Sequence, residues 1–199
     1  MSRRITLSRL LLGLSLPATA MAHTGSGTHS FIAGALHPLS GLDHLLAMLA
    51  VGLLAGCSRG SMRWGLPASF VAAMAAGAML GASGTNIPLV EAGIAFSLVV
   101  FGFALFLRQS IHTPTLVVLV AGFALLHGHA HGTEMGADLS TAPYALGFML
   151  ATALLHALGV LLTAKAVLPL SQVTLLRWSG RAIAAVGVAS LGVLLVVPG

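Results

Sequence analysis

The sequence predicts an all-α integral membrane protein, with six transmembrane helices that follow a cleaved N-terminal signal peptide. Hydrophobic residues make up 57% of the 199 residues and charged residues only 7%, whereas about a quarter of the residues of a soluble domain are charged. The hydrophobic residues occur in long runs, which short breaks rich in Gly, Ser, Pro and Thr separate. After the first of these runs, the Lys and Arg residues are confined to alternate breaks, as membrane topology requires.

Residues 1–22 have the organisation of a secretory signal peptide. Arginines near the start form a basic segment, a short apolar stretch covers 10–16, and a small-x-small cleavage site ends at Ala22. Cleavage after Ala22 would make His23 the first residue of a mature chain whose N-terminus lies outside the cytoplasm. The alternative is an uncleaved signal anchor, which would add a seventh helix and leave the remaining topology unchanged.

Six apolar segments in the mature chain, 23–199, are long enough, or nearly so, to cross a bilayer core of about 30 Å. They cover residues 31–56, 64–80, 87–107, 115–131, 144–163 and 182–197. Short polar breaks join them, and no long linker or low-complexity tract indicates a second domain. The mature chain is therefore predicted to form one transmembrane domain.

The basic residues predict how these helices are oriented. With the mature N-terminus outside, the cytoplasmic loops are 57–63, 108–114 and 164–181. These loops contain every Lys and Arg that follows the signal peptide: Arg59, Arg63, Arg108, Lys165, Arg177 and Arg181. The exterior loops carry Glu134 and Asp138 instead. By the positive-inside rule, both mature ends lie outside, in a multi-pass protein of a bacterial inner membrane.

The net charge of +5 does not indicate a nucleic-acid partner, because the basic residues are dispersed and form no basic face. Membrane lipid is the expected surrounding instead. The single Cys57 excludes an internal disulfide and any CxxC metal or redox site. Nine histidines are the unusual feature of so apolar a chain.

The first predicted span contains a polar group of residues, namely His37, Asp43 and His44. An ionisable side chain inside a span costs about 2.5–3.5 kcal/mol on insertion scales, so such residues usually mark a pathway or site. In a straight helix the two imidazoles would be about 10 Å apart along the axis, too far for one small ion. Pro38 and Gly41 predict a kink between them, and broken helices build ion sites in many transporters.

The fourth predicted span ends in a second polar group. His127, His131 and Glu134 are spaced i, i+4 and i+7, so they share one helical face, whereas His129 points the other way. Imidazole with carboxylate suits nickel, zinc, copper or cobalt, and the absence of thiolates argues against sites for soft metals. The alternative is that these histidines are hydrogen-bonded packing residues or interfacial polar groups.

The two groups together resemble the signature motifs of the HupE/UreJ family. The matching patterns are His37-Pro-x-x-Gly-x-Asp43-His44 and His127-Gly-x-Ala-x-Gly-x-Glu134. The resemblance covers essentially the whole mature chain, and it implies a secondary metal permease that supplies nickel, sometimes cobalt, to enzymes such as hydrogenase or urease. It also implies a set of metal-pathway residues: His37, Asp43, His44, His127, His131, Glu134, Glu91 and Phe70.

Several of the candidate metal residues have a competing interpretation. Glu91 stands in the first turn of the third span, where the helix dipole alone favours a carboxylate. His156 lies deep in the fifth span and suits either the pathway or simple packing. His23 and His29 lie near the mature N-terminus, where the α-amine and imidazole of His23 could chelate an ion outside the membrane. The alternative for His23 is an incidental residue after the cleavage site.

The function predicted from these residues is secondary transport of a divalent transition metal. Nickel(II) is the expected metal, and cobalt(II) is the second choice. No enzyme activity and no resident cofactor are expected. The sequence has no nucleotide-binding loop, so a gradient or downstream capture must drive transport. This function is compatible with cytoplasmic nickel acceptor proteins as partners and with assembly into a homo-oligomer.

Two other functions are alternatives to transport. Gly81-Ala82-Ser83-Gly84 matches the GxSG motif of rhomboid-like intramembrane serine proteases, with His156 as the base. However, Ser83 falls in a short exterior turn. A haem-binding membrane electron carrier would use paired histidines on helices, but it would leave the carboxylates unexplained.

The spans also suggest an internal symmetry. The first and fourth spans both carry histidines, open successive groups of three and must run in opposite directions. This arrangement is typical of an inverted three-plus-three repeat with the ion site where the halves meet. The expected path starts outside, passes the residues of the second motif and Glu91, and then descends to those of the first motif.

Overall fold

The computed structural model describes residues 30–107, 112–135, 142–164 and 170–196. Within these ranges the chain forms helices and no strand. The helices are α1 (Phe31–Ser40), α2 (Leu42–Cys57), α3 (Met62–Ala82), α4 (Val90–Leu107), α5 (Thr113–Met135), α6 (Ala142–Ala164) and α7 (Leu170–Val196). The predicted signal peptide lies outside the described residues, as do His23, His29, Arg108, Asp138 and Lys165.

The helices from α3 to α7 are each long and apolar enough to cross a membrane, and α1 with α2 meets the same test as a bent pair. In each of these five helices, no more than 44% of the most apolar stretch is buried against the rest of the protein, so more than half of that stretch is at least partly exposed. Large apolar side chains such as Met79, Val118 and Leu195 are at least 70% exposed. Such surfaces are stable against lipid, so the chain is a multi-pass membrane protein.

Three pairs of the predicted spans approach each other closely at glycine residues. A Cβ atom on Gly77 of α3 would collide with the backbone of α5, and one on Gly52 of α2 would collide with the backbone of α6. A Cβ atom on Gly102 of α4 would likewise collide with the backbone of Gly180 of α7, and one on Gly180 would collide with the backbone of Gly102. Small residues allow this close packing because lipid supplies no hydrophobic force between helices.

These pairings are compatible with the predicted three-plus-three repeat. In terms of the predicted spans, they join the first to the fifth, the second to the fourth and the third to the sixth. A repeat that relates the first three spans to the last three would exchange the first span with the fourth, the second with the fifth and the third with the sixth. This exchange converts the set of pairs into itself. The first and fourth spans also contact each other directly, at the histidines described below.

The first predicted span is not one helix but two. The kink predicted there is confirmed, and it is a bend of 87° between α1 and α2 at Gly41, whose φ and ψ of −104° and 119° are extended. A Cβ atom at this glycine would lie 2.9 Å from Oδ1 of Asp43, so the side chains that follow the break require glycine there. The Ser40 hydroxyl donates a hydrogen bond to the His37 carbonyl (2.7 Å), which satisfies one of the carbonyl groups left unpaired at the end of α1.

The helix that contains the sixth predicted span, 182–197, begins before that span and occupies part of the predicted loop 164–181. Helix α7 starts at Leu170 and continues through Arg177 and Arg181. The Arg181 guanidinium lies 5.0 Å from the centroid of the Phe106 ring, and cation–π attraction of this kind stabilises a charge beside an apolar helix. The fourth predicted span, 115–131, was also too short.

Candidate metal-ion site

The first part of the site is built by the break between α1 and α2. His37 lies in the last turn of α1, while Asp43 and His44 stand in the first turn of α2. Oδ1 of Asp43 accepts hydrogen bonds from the backbone N–H of His44 (2.8 Å) and from its Nδ1 (2.9 Å). Because Nδ1 of His44 carries the proton, its Nε2 presents the lone pair. That Nε2 is buried, and no described residue is hydrogen-bonded to it.

The second part of the site is the C-terminal end of α5, which extends to Met135 and therefore includes the whole second motif. His127 is fully buried and His131 is 3% exposed, whereas the side chain of Glu134 is 53% exposed. Nδ1 of His131 lies 3.5 Å from Oε2 of Glu134. One helical face thus runs from a buried imidazole to a carboxylate at the surface.

The two parts meet ring against ring. The centroids of the His37 and His131 rings are 4.8 Å apart, those of His44 and His131 are 4.7 Å apart, and those of His44 and His127 are 5.0 Å apart. These four residues form what is called here the four-histidine cluster. Ligand atoms of His37, His131 and Glu134 all lie within 4.8 Å of one another, so these residues need little movement to hold one ion.

The two motifs are arranged in space differently from the sequence-based expectation. The two motifs were expected to act one after the other, with the second motif ahead of the first. Instead they interleave, since His37 lies beside His131 and His44 lies between His131 and His127. The bend also brings the His37 and His44 rings to 6.4 Å, closer than the straight-helix separation.

Ser97 of α4, which no sequence motif marks, determines which nitrogen of His127 can bind a ligand. Its hydroxyl donates to the Ile94 carbonyl at 2.6 Å, and its oxygen lies 3.2 Å from Nε2 of His127. Because the hydroxyl has only one proton, Ser97 accepts from Nε2–H, and the lone pair of His127 is left on Nδ1. That Nδ1 is buried, and no described residue is hydrogen-bonded to it.

Two aromatic residues of α6 line the cluster and were also not predicted. The Phe148 ring lies 4.4 Å from the His131 ring, and the Tyr144 ring lies 5.7 Å from the His37 ring. Phe70, on the opposite side, lies 5.9 Å from His127. No spacing pattern marks Tyr144 and Phe148 as site residues, because they reach the cluster only through the packing of α6 against it.

Sequence comparison assigns the chain to a family. The profile described as "HupE / UreJ protein" matches residues 10–190. The chain belongs to the HupE/UreJ family. Protein HupE of Rhizobium leguminosarum bv. viciae is 39% identical to it over 185 residues, which are 93% of this chain and 96% of that protein. No solved structure matches the chain. The family predicted from the two motifs is thereby confirmed.

Glu91 and His129 occupy different positions in this HupE/UreJ protein. Glu91, exposed in the first turn of α4, is close enough to His44 and Glu134 to interact with them electrostatically. His129 points away from the cluster, as predicted, and its Nε2 lies 2.7 Å from the Thr85 carbonyl oxygen. The structure therefore places Glu91 near the cluster and gives His129 a role in holding the turn after α3.

The alternative functions find no support in this member of the HupE/UreJ family. The Ser83 hydroxyl donates to the Leu80 carbonyl (2.7 Å) and lies 3.0 Å from the Thr85 hydroxyl. His156 is buried against Phe70, and among the described residues neither of its ring nitrogens has a hydrogen-bond partner. Ser83 and His156 thus form no nucleophile–base pair. The four imidazoles pack directly on one another, which leaves no slot for a haem between two axial ligands.

Proposed function

We propose that this protein is a secondary permease for a divalent transition metal, with nickel(II) as the cargo and cobalt(II) as the second choice. The observation that carries the proposal is the convergence of four imidazoles with the carboxylates of Asp43 and Glu134 at a broken helix. Ligands of this kind, without a thiolate, suit divalent metals of the later first transition row. Direct ring contacts allow an ion to pass from one imidazole to the next by ligand exchange.

The proposed topology has six spans, with α1 and α2 together as the first, and both mature ends outside the inner membrane after removal of residues 1–22. The charges of the described residues support this orientation. Arg59 lies in the connection between α2 and α3, and Arg63 lies in the first turn of α3. Glu91, in the first turn of α4, and Glu134, in the last turn of α5, lie at the opposite ends of the helices. The positive-inside rule places the arginines in the cytoplasm. The cluster then opens to the exterior.

The proposed path has two levels. An ion arriving from outside meets the exposed carboxylate of Glu134, whose negative charge attracts cations. It is then held by Glu134 with His37 and His131, and passes inward to His44 and His127. Asp43 and Ser97 orient these inner imidazoles rather than supplying the first contact.

The destination proposed for the ion is a nickel enzyme such as hydrogenase or urease, reached through cytoplasmic nickel acceptor proteins. Family membership supports this proposal. A gradient, or capture of the ion by those acceptors, would drive the transport. No catalytic step is part of the proposed function, and a homo-oligomer is compatible with it.

The test is uptake of radioactive nickel by proteoliposomes that contain the purified protein and an internal chelator as the sink. The wild type should accumulate nickel above protein-free liposomes, and His44→Ala and Asp43→Asn should reduce uptake to that background. His112→Ala is the control, because His112 is an exposed residue immediately before α5. Competition with cobalt and zinc identifies the preferred metal. Undiminished uptake in both cluster variants would rule out the proposed path.

A further inference from the structure

His156 of α6 is a buried imidazole that the four-histidine cluster does not include. It is 1% exposed, and neither of its ring nitrogens is hydrogen-bonded to any described residue. A buried polar group without a partner is costly, so such groups in native proteins usually face a water molecule or an ion. The hydroxyl of Thr152, one turn earlier on the same face of α6, is also buried without a partner among the described residues.

The position of His156 along the membrane follows from helix packing. Gly52 of α2 lies against the backbone of His156, so the two residues are at the same depth. Along α2, Gly52 follows His44 by roughly two helical turns, or about 12 Å. His156 therefore lies farther from Glu134 than any member of the four-histidine cluster.

Phe70 of α3 contacts both His156 and the cluster. It is fully buried, and its ring centroid lies 5.9 Å from that of His127 and 4.9 Å from that of His156. An aromatic ring offers no lone pair to a divalent cation. Continuation of the path therefore requires a movement of this ring and a ligand beyond it.

We propose that His156 is an inner binding site for the transported divalent cation, separated from the four-histidine cluster by Phe70. A ring nitrogen of His156 binds the ion, and the Thr152 hydroxyl and water complete its coordination. Rotation of the Phe70 side chain connects the two sites. This inference rests on the proposed function, and it adds a second site for the ion on the cytoplasmic side of the cluster.

The experiment separates binding at the cluster from transport past Phe70. Nickel binding to the purified protein is measured by equilibrium dialysis, and nickel uptake is measured in proteoliposomes. His156→Phe and His156→Gln should leave the dissociation constant of the cluster within about twofold of the wild type. Both should lower uptake at least tenfold. His156→Cys, which supplies another metal ligand, should recover part of that loss.

Val160→Ala is the matched control, because Val160 is buried one turn farther along α6 and 1% exposed. Its uptake should stay within about twofold of the wild type. Uptake near the wild-type level in His156→Gln would overturn the proposal, as would equal losses in His156→Gln and Val160→Ala. A wild type that binds no nickel would instead contradict the proposed function itself.

A measurement on the wild-type protein tests the proposal even if the variants do not fold. Copper(II) with ascorbate oxidises histidines that bind the metal, and mass spectrometry locates the oxidised residues. His156 should be oxidised together with members of the cluster, and excess nickel(II) should protect it. Oxidation of His37 and His131 with His156 left unmodified would overturn the proposal.

Discussion

The imidazole rings of His37 and His131 lie 4.8 Å apart and nearly perpendicular, although they belong to the first and fourth predicted spans. His37 reaches this position because the chain turns by 87° at Gly41. The contact joins the two polar motifs into one cluster, and under the proposed function the geometry of the break becomes a condition for metal binding.

Gly41→Ala should therefore weaken nickel binding while the protein remains in the membrane. The new Cβ atom would lie 2.9 Å from Oδ1 of Asp43 and 3.2 Å from Nδ1 of His44, so it displaces the pair that orients the His44 ring. We expect nickel affinity to fall about tenfold or more, in the range found when a partner of a ligating histidine is lost. Gly122→Ala is the control, because a Cβ atom there meets no atom within 4 Å. Equal affinities for the two variants would refute this role of the break.

Ser97→Ala should also lower nickel affinity, by about 10- to 100-fold, because His127 loses the partner that keeps the proton on its Nε2. Ser97→Thr, which retains the hydroxyl, should restore binding. Nitrogen NMR of labelled protein should detect a single tautomer of His127 in the wild type and a mixture in Ser97→Ala. Ser69→Ala removes a similar hydroxyl bond to a backbone carbonyl, and it should change neither measurement. An unchanged tautomer in Ser97→Ala would contradict the assignment.

Nickel uptake should fall when the external pH drops below about 6. An imidazole binds metal through a lone pair, and with an ordinary pKa near 6.5 it takes up a proton at that lone pair in acid. Protonation therefore removes ligands as the pH falls, and the loss should be reversible on return to pH 7.5. Uptake from proteoliposomes at fixed free nickel concentration measures the profile. Constant uptake from pH 7.5 to pH 5 would contradict this prediction.

Replacing His23 and His29 by Ala tests the predicted capture site outside the membrane. If cleavage follows Ala22, the free α-amine and imidazole of His23 can chelate one ion, and their loss should raise the half-saturation concentration with little change in maximal rate. Mass spectrometry of the mature N-terminus checks the cleavage position. Unaltered uptake at limiting nickel would show that this segment does not capture the ion.

Much of the fold and of the arrangement of the candidate site could be predicted from the sequence because both depend on local patterns. Apolar runs identified the helices, and the spacing of His127, His131 and Glu134 placed them on one face of a helix. Pro38 and Gly41 located the kink. They could not give its angle, because that depends on how the Asp43 and His44 side chains fold back against the break.

The remaining parts of the site depend on contacts between distant segments. Ser97, Tyr144 and Phe148 stand in apolar helices with no spacing that marks them, and they reach the cluster only through helix packing. The early start of α7 was missed for a related reason. Arg177 and Arg181 interrupt the apolar run, but the Phe106 ring of another helix stabilises their charges.

The most direct test of the central claim is X-ray absorption at the nickel edge of the purified, nickel-loaded protein. The account predicts nitrogen and oxygen ligands with the outer-shell scattering of at least two imidazoles and no sulfur. This imidazole signal should decrease in a variant with both His44→Ala and His131→Ala, whereas His129→Ala should leave it unchanged, because His129 points away from the cluster. A nickel spectrum without imidazole ligands, or one that is identical in the double variant, would contradict the account.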